Sequence, residues 1–166
     1  MNKFIIDNKE YNGLVAKICR NIVLSKWQPD YIVGIGRGGL LPAVMISQYL
    51  NIKMCSLDIS LRDGGDTVSN CGMSEDAFNG INILVVDDIN DTGATINWLM
   101  KDWQDNALPS HEEWKNSIWN KNVKFAVVVD NLASKCDVKM DFVGLEVNKA
   151  EKDVWIEFPY EEWWTK

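Results

Sequence analysis

The chain has 166 residues, of which 46% are hydrophobic and 25% are charged, and its formal net charge is −7. This size and composition are typical of one globular domain, and no apolar run is long enough to cross a bilayer. The acidic balance, without a clustered stripe of lysine and arginine, argues against nucleic acid as the main partner.

The predicted elements alternate between helices and strands along the chain. Residues 13–27 place apolar side chains at helical spacing, residues 31–36 predict a short buried strand, and residues 38–50 predict the next helix. Further strands are predicted at 53–61, 81–88, 123–130 and 141–147, with a third helix at 92–103. This alternation predicts an α/β fold with a mostly parallel central sheet flanked by helices.

Two segments interrupt this alternation within the single domain that we expect over residues 1–166. Residues 62–80 carry four glycines and almost no large apolar residue, which predicts a long functional loop. Residues 104–122 form a polar insertion in which Trp114 and Trp119 are expected to pack onto the body, with a subunit interface as the alternative.

Several kinds of site are not expected in this chain. The four cysteines are scattered without a C-x-x-C pair, which argues against a zinc site or a disulfide framework. The single histidine, His111, lies in a polar stretch and is expected at the surface. The first residues, MNKFIIDNKEY, do not form a secretory signal, so a cytoplasmic protein is expected.

The segment ILVVDDINDTGAT, residues 83–95, joins an acidic cluster to an anion-binding pattern. Four apolar residues lead to Asp87 and Asp88, and Asp91 precedes the small and hydroxyl residues 92–95. The N-terminus of a helix binds phosphate, whereas carboxylates accept hydrogen bonds from sugar hydroxyls and coordinate Mg²⁺. A ribose phosphate would satisfy both halves, while a plain helix cap explains only the second half.

The segment GIGRGGLLP has two interpretations. Gly34, Gly36 and Gly39 fit a degenerate G-x-G-x-x-G, and Asp58 follows at about the distance at which a dinucleotide-binding fold has its acid. The alternative is a backbone nest that cradles pyrophosphate, to which Arg37 would add a positive charge.

Three segments resemble one family. ILVVDDINDTGAT closely resembles the phosphoribosyl-pyrophosphate (PRPP) signature of type I phosphoribosyltransferases, and GIGRGGLLPAVMISQYLNIK resembles their pyrophosphate loop and following helix. DVWIEFPYE resembles the base-binding segment of the bacterial xanthine-guanine and hypoxanthine enzymes. The resemblance implies the type I phosphoribosyltransferase fold, with a flexible lid loop at about 62–80 and a small base-binding hood at about 148–166.

The resemblance implies roles in PRPP binding for the matching residues. Asp87 and Asp88 would hold the ribose hydroxyls and organise Mg²⁺. The 5′-phosphate would lie on Asp91, Thr92, Gly93, Ala94 and Thr95. Pyrophosphate would lie on Arg37, Gly38 and Gly39, with a non-proline cis peptide before Arg37.

The resemblance also implies how the base is held. Asp91 would be the catalytic base, Trp155 would stack on the purine ring, and the Ile156 backbone would read its edge. The family places a lysine after the fourth strand to donate to the purine 6-oxo group, whereas this chain has Asn131 there and Lys135 shortly after. We therefore expect Asn131 or Lys135 to contact the base, which leaves the preferred base open.

The pyrophosphate site also departs from the family pattern, because the lid region is poor in basic residues. Arg62, Lys53 or a neighbouring subunit would have to complete it.

Together these features predict a purine phosphoribosyltransferase. It would transfer the 5-phosphoribosyl group of PRPP to N9 of hypoxanthine, guanine or xanthine in purine salvage, with Mg²⁺ as cofactor and a homodimer or homotetramer as assembly. The alternatives are a non-catalytic PRPP- or nucleotide-sensing regulator on the same fold and a phosphoribosyltransferase for another base. A dinucleotide-dependent oxidoreductase comes last because it leaves residues 83–95 unexplained.

Overall fold

The central sheet has five strands, all parallel, in the spatial order β3-β2-β4-β5-β6. A computed structural model describes residues 2–59 and 71–166. The strands of this sheet are β2 (Tyr31–Ile35), β3 (Met54–Leu57), β4 (Ile83–Asn90), β5 (Val123–Asn131) and β6 (Phe142–Val147). The predicted α/β class with a mostly parallel sheet is confirmed.

Helices cover both faces of the sheet and bury a core on each. The helices of the described residues are α1 (Asn8–Leu24), α2 (Leu40–Leu50), α3 (Cys71–Phe78) and α4 (Ala94–Asn106), followed by a short π-helix (Trp114–Ile118) and a 3₁₀ helix (Trp163–Thr165). One core contains Ile18 of α1 and Ile46 of α2, and the other contains Trp103 of α4 and Trp114 of the π-helix. These layers hold the carboxyl ends of the parallel strands along one edge of the molecule, where the ligands of such folds bind.

One predicted helix begins earlier than expected, and one helix was not predicted. Helix α1 begins at Asn8, earlier than predicted, because the Asp7 side chain accepts a hydrogen bond from the Glu10 N–H at 2.7 Å and caps the first turn. Helix α3 corrects part of the loop predicted at 62–80, since Met73 and Ala77, one helical turn apart, are both buried in the core. The rest of that predicted lid, residues 62–70, lies outside the described residues.

The tryptophan-bearing insertion packs onto the body, as predicted. Trp114 and Trp119 are 0% and 5% exposed, and their ring centroids lie 5.1 Å apart in a stacked arrangement. Trp103 of α4 and Phe125 of β5 flank Trp119. The insertion therefore extends the core beneath α4.

The two ends of the described chain meet in a second, two-stranded parallel sheet. Strand β1 (Asn2–Ile5) pairs with β7 (Val154–Glu157), and Lys3 forms a 2.7 Å ion pair with Glu157. Strand β1 was not predicted, because all four of its residues are exposed and show no buried alternation. Strand β7 belongs to the segment 148–166 that was predicted to form a base-binding hood, and this segment is called the hood below.

The remaining predictions concern the membrane, the thiols and the histidine. No helix within residues 2–59 and 71–166 has both the length and the apolar character needed to cross a membrane. Cys19 is buried, whereas Cys55 and Cys136 are only partly buried, and all three are free thiols. His111 is exposed, as predicted.

Candidate functional site

A cavity of about 830 Å³ opens at the carboxyl ends of the central strands, within the size range of ligand sites. Its walls come from the segments that follow β2 and β3, the end of β4, the start of α4, the turn after β6, and the hood. The sequence motifs therefore meet in one place, as the strand order of an open parallel sheet requires.

The pair Asp87 and Asp88 lies at the end of β4 and faces this cavity. Asp87 is 9% exposed, and its Oδ1 accepts a hydrogen bond from the Asp88 N–H at 2.9 Å. Asp88 accepts from the Ile89 N–H at 2.7 Å and from the Tyr160 hydroxyl at 2.6 Å. Both carboxylates are thus held in place by their local backbone and, for Asp88, by the hood.

Residues 92–95 turn from β4 into α4, whose N-cap, Gly93, has no side chain to cap the helix, and the Thr92 hydroxyl accepts from the Ala94 N–H at 3.2 Å. Gly93 has a φ of +90°, and a Cβ there would overlap the backbone of Cys136. Lys135 donates its N–H to the Thr92 carbonyl at 3.0 Å, so the loop after β5 supports this turn from behind. A helix start of this kind, with backbone N–H groups and the positive end of the helix dipole, suits an anion.

Asp91 lies between the acid pair and this turn and has contacts on two sides. Its Oδ1 forms a 2.9 Å ion pair with the Lys149 ammonium, and its carbonyl accepts from the Asn131 amide at 2.9 Å. Asn131 is only 6% exposed, and its amide oxygen accepts from the N–H groups of Ala133 and Lys149. Asn131 therefore fixes both Asp91 and the turn that carries Lys149.

The hood closes one side of the cavity with aromatic and acidic side chains. Trp155 is 40% exposed and lines the cavity, next to Ile156 on β7. Burial, and secondly the nearby Asp88 carboxylate, raise the pKa of Tyr160 far above its usual range, so its hydroxyl stays protonated and donates to Asp88. The same two causes raise the pKa of the Glu161 carboxyl.

The loop after β2 brings Arg37 and Gly38 to the cavity. Gly38 packs against the Asp88 carboxylate so closely that a Cβ would overlap it. Gly36 has a φ of +52°, and the peptide bond before Arg37 is trans, which corrects the predicted cis peptide.

Most of the predicted site residues line this cavity. Those that do are Arg37, Gly38, Asp87, Asp88, Asp91, Thr95, Trp155 and Ile156. Those outside the cavity wall are Gly39, Thr92, Gly93, Ala94, Asn131 and Lys135. Lys135 is exposed, and only its backbone supports the site.

Of the basic residues considered for pyrophosphate, Lys53 is at the wrong end of the sheet. Its ammonium lies 5.8 Å from the centre of the Tyr31 ring, at the start of β2. Arg62 lies outside the described residues.

Lys149 and Tyr160 are among the cavity residues that were not predicted as site residues. Lys149 follows β6 in a charged stretch, NKAEKD, where nothing in the sequence separates it from Lys152. Tyr160 lies in the predicted hood, but its partner Asp88 is distant in the chain, so only the fold reveals the contact.

The cavity is rich in acid. Among the described residues that line it, six are carboxylates and two are cations, Arg37 and Lys149. The described residues contain no group of three or more His, Cys, Asp or Glu side chains that could hold a metal ion by themselves. Asp87 and Asp88 offer oxygen donors of the kind that Mg²⁺ prefers, and Mg²⁺ commonly uses one or two carboxylates together with substrate phosphates. The acid pair therefore fits an ion that a phosphorylated ligand would help to hold.

Comparison with known proteins agrees with this arrangement. The model of the phosphoribosyl transferase domain family matches residues 4–162. A xanthine-guanine phosphoribosyltransferase from Idiomarina loihiensis is 29% identical over 163 residues, which cover 96% of this chain and 87% of the relative. A hypoxanthine-guanine phosphoribosyltransferase from Schizosaccharomyces pombe is 25% identical, with 84% of this chain and 80% of the relative covered.

The fold has solved counterparts. The crystal structure of a purine phosphoribosyltransferase from Pyrococcus horikoshii superposes with a TM-score of 0.68 and 22% sequence identity, covering 98% of this chain and 96% of that chain. This likeness extends the family match to the arrangement of the strands and helices.

Proposed function

The chain belongs to the phosphoribosyltransferase family, and from that premise we propose that it is a purine phosphoribosyltransferase of purine salvage. It transfers the 5-phosphoribosyl group of PRPP to N9 of a 6-oxopurine, which gives a nucleoside monophosphate and pyrophosphate. The observation that carries the proposal is that Asp87, Asp88, Asp91 and Thr95 line the same cavity as Trp155 and Ile156. The names of the two relatives, which act on xanthine, guanine and hypoxanthine, support a purine as acceptor.

PRPP would lie along the carboxyl ends of β2 and β4. Its 5′-phosphate would accept hydrogen bonds at the start of α4, from residues 92–95, and the ribose hydroxyls would donate to Asp87 and Asp88. Pyrophosphate would lie on the loop of Arg37 to Gly39. The acid pair would hold Mg²⁺, which when bound would neutralise the negative charge that develops on pyrophosphate.

The purine would stack on Trp155, with its edge toward the Ile156 backbone and Asp91. As the bond from C1 of the ribose to pyrophosphate lengthens, the ribose becomes oxocarbenium-like and N9 attacks C1. Asp91 would accept the proton that leaves the purine ring nitrogen, because Asp91 lines the same cavity as the proposed stacking residue, Trp155. Asn131 would serve as a positioning residue, since it holds the Asp91 carbonyl and the turn of Lys149.

Product formation measured by mass spectrometry tests the proposal. The protein would be incubated with PRPP and Mg²⁺ against hypoxanthine, guanine, xanthine, adenine, uracil and orotate. Nucleotide from at least one 6-oxopurine is expected. PRPP binding without a nucleotide from any base would instead favour a PRPP-sensing regulator, and a product from uracil or orotate alone would assign another base.

The role of Asp91 is tested by Asp91→Asn, which keeps the size of the side chain but removes the base. General-base catalysis contributes about 10²–10⁴-fold, so kcat should fall within that range while PRPP still binds. Asp105→Asn on α4 is the matched control, because Asp105 is exposed and pairs only with Lys101 at the surface. Undiminished turnover by Asp91→Asn would remove the assignment of the general base.

A further inference from the structure

Only two cations line the cavity among the described residues, and one of them, Lys149, has a position suited to reading the base. Its ammonium lies 2.9 Å from Asp91 Oδ1, and its side chain is 16% exposed. The turn that carries Lys149 lies between β6 and β7, so it approaches the cavity from the hood side. Lys149 is therefore next to the proposed general base, and it lines the same cavity as the proposed stacking residue, Trp155.

The chemistry of a purine edge determines what this lysine would meet. N7 and the substituent on C6 are neighbours on one edge of the ring, where guanine presents two acceptors and adenine presents an acceptor and an amino donor. If Asp91 takes the proton from N7, a group that lies beside Asp91 on the C6 side of the ring meets the C6 substituent. A lysine ammonium has three donors and no acceptor, so it pairs with an oxo group and cannot pair with an amino group.

Neither Asn131 nor Lys135, which were predicted to contact the base, is placed to reach it. The Asn131 amide donates to Asp91 and accepts from two backbone N–H groups, and the residue is buried behind the cavity wall. Lys135 is exposed and does not line the cavity. Asn131 therefore supports the neighbouring backbone. One of its contacts is the 3.0 Å hydrogen bond that its amide oxygen accepts from the Lys149 N–H.

We propose that Lys149 is the specificity-determining residue of this enzyme, donating to the 6-oxo group of the purine and disfavouring 6-aminopurines. The inference rests on the proposed purine phosphoribosyltransferase function. The lysine reaches the base from the turn after β6, and the end of β5 supplies Asn131 as its anchor. One ammonium can contact Asp91 and the oxo group together, which keeps the cation charge-balanced before and after the base binds.

Lys149→Gln tests the proposal, with hypoxanthine and adenine assayed separately at saturating PRPP. A hydrogen bond to a charged group contributes enough for its loss to raise KM for hypoxanthine by about 10- to 100-fold. KM for PRPP should stay within about twofold. Because glutamine can both donate and accept, the ratio of kcat/KM for hypoxanthine over adenine should fall by at least about tenfold.

Two further variants test whether the effect is specific to the charge and the donors of Lys149. Lys149→Arg keeps the charge and the donors, and should retain the preference for the 6-oxo base even if its rate is lower. Lys152→Gln is the matched control on the same turn, because Lys152 is exposed. This variant should leave the kcat and KM for both bases unchanged. Thermal melting of each variant establishes that the comparison is between folded proteins.

Three results would overturn the inference. An equal fall in kcat for both bases in Lys149→Gln would make Lys149 only a support for Asp91. Kinetics of Lys149→Gln with hypoxanthine and adenine equal to those of the parent protein would show that Lys149 does not contact the base. A loss of selectivity in Lys135→Gln, with selectivity retained in Lys149→Gln, would assign the contact to Lys135. Failure of the parent protein to convert any purine is a separate outcome, because it would remove the proposed function before the variants are compared.

Discussion

Gly38 gives the sharpest test of how the acid pair is held. A Cβ on Gly38 would lie 2.9 Å from Asp88 Oδ1 and still closer to Oδ2 and Cγ, whereas non-bonded carbon contacts are about 3.5–4.0 Å. In Gly38→Ala the carboxylate must therefore move by roughly 1 Å. That movement would disturb the hydrogen bond that the Tyr160 hydroxyl donates to Asp88 Oδ2 at 2.6 Å.

The expected effect is mainly on PRPP use. A displacement of about 1 Å in a reacting or positioning group can cost about 10²-fold in rate, so kcat/KM for PRPP should fall by that order. The fold should persist, because the overlapping atoms belong to the end of a side chain. Loss of the hydrogen bond from Tyr160 to a charged group would lower the free energy of unfolding by at most about 1.5–3 kcal/mol.

Substitutions of two other glycines, Gly39 and Gly13, provide the comparison. A Cβ on Gly39 would lie 2.7 Å from the Ile35 carbonyl oxygen and closer still to that of Val86, so Gly39→Ala meets fixed backbone and should prevent folding. Gly13 of α1 has no atom within 4 Å of such a Cβ, so Gly13→Ala should keep full activity and gain about 0.5–1 kcal/mol of stability.

Steady-state kinetics with varied PRPP, together with urea unfolding, separate these three expectations. A Gly38→Ala protein that is folded and has an unchanged kcat/KM for PRPP would refute the reasoning, because it would show that the position of Asp88 does not govern PRPP use. Unfolding of Gly38→Ala to the extent of Gly39→Ala would refute the claim that only a side chain must move.

Two further predictions concern stability. Trp114→Ala empties a fully buried site and should lower the free energy of unfolding by about 3–5 kcal/mol, as measured by urea unfolding, while folded molecules keep their kcat because Trp114 is not in the cavity wall. Glu157→Gln should reduce the fall in the free energy of unfolding that occurs as the pH is lowered into the acid range. The hydrogen bond from Lys3 is the main cause of the lowered pKa of Glu157, so its contribution is complete above the ordinary value of 4.5 and is lost as the pH falls through the lowered pKa. Urea unfolding from neutral to acid pH measures this slope.

Matched exposed residues are the controls for these two variants. Trp163 is 68% exposed, so Trp163→Ala should change stability far less than Trp114→Ala, and equal losses would contradict the packing of the insertion. Glu112 is exposed on the insertion, and Glu112→Gln should leave the pH dependence of the free energy of unfolding unchanged in the acid range. If the free energy of unfolding falls as steeply with acid in Glu157→Gln as in the parent protein, other carboxylates control this pH dependence.

The sequence predicts best those parts of the site that are built from neighbouring residues. Residues 83–95 contain a strand, two acids and a helix start in one stretch, so the identities and the order of the side chains already define most of their geometry. The fold class follows in the same way from the alternation of apolar strands and amphipathic helices. Position along the chain is enough in both cases, because the partners are close in sequence.

Contacts between distant segments were the ones that could not be predicted. Strand β1 has four exposed residues and is recognisable only through its pairing with β7. Glycine content was misleading at residues 62–80, where Gly72 lies within α3 and burial of Met73 and Ala77 stabilises the helix. Lys149 resembles any surface lysine until β6 and the hood bring it to Asp91.

The end of β5 shows why a missing residue need not mean a missing function. Asn131 donates to the Asp91 carbonyl and accepts from the Lys149 N–H, and the loop that follows it supports Thr92 and packs against Gly93. A lysine at position 131 would lose the carbonyl oxygen that accepts from Lys149, so the turn after β6 would lose its anchor. The asparagine at the end of β5 and the lysine after β6 therefore depend on each other. The Lys149 ammonium can act in the cavity only where the residue at the end of β5 accepts a hydrogen bond from the turn that carries Lys149. Base selectivity in this chain should for that reason be sought in the pair Asn131 and Lys149, and not in either residue alone.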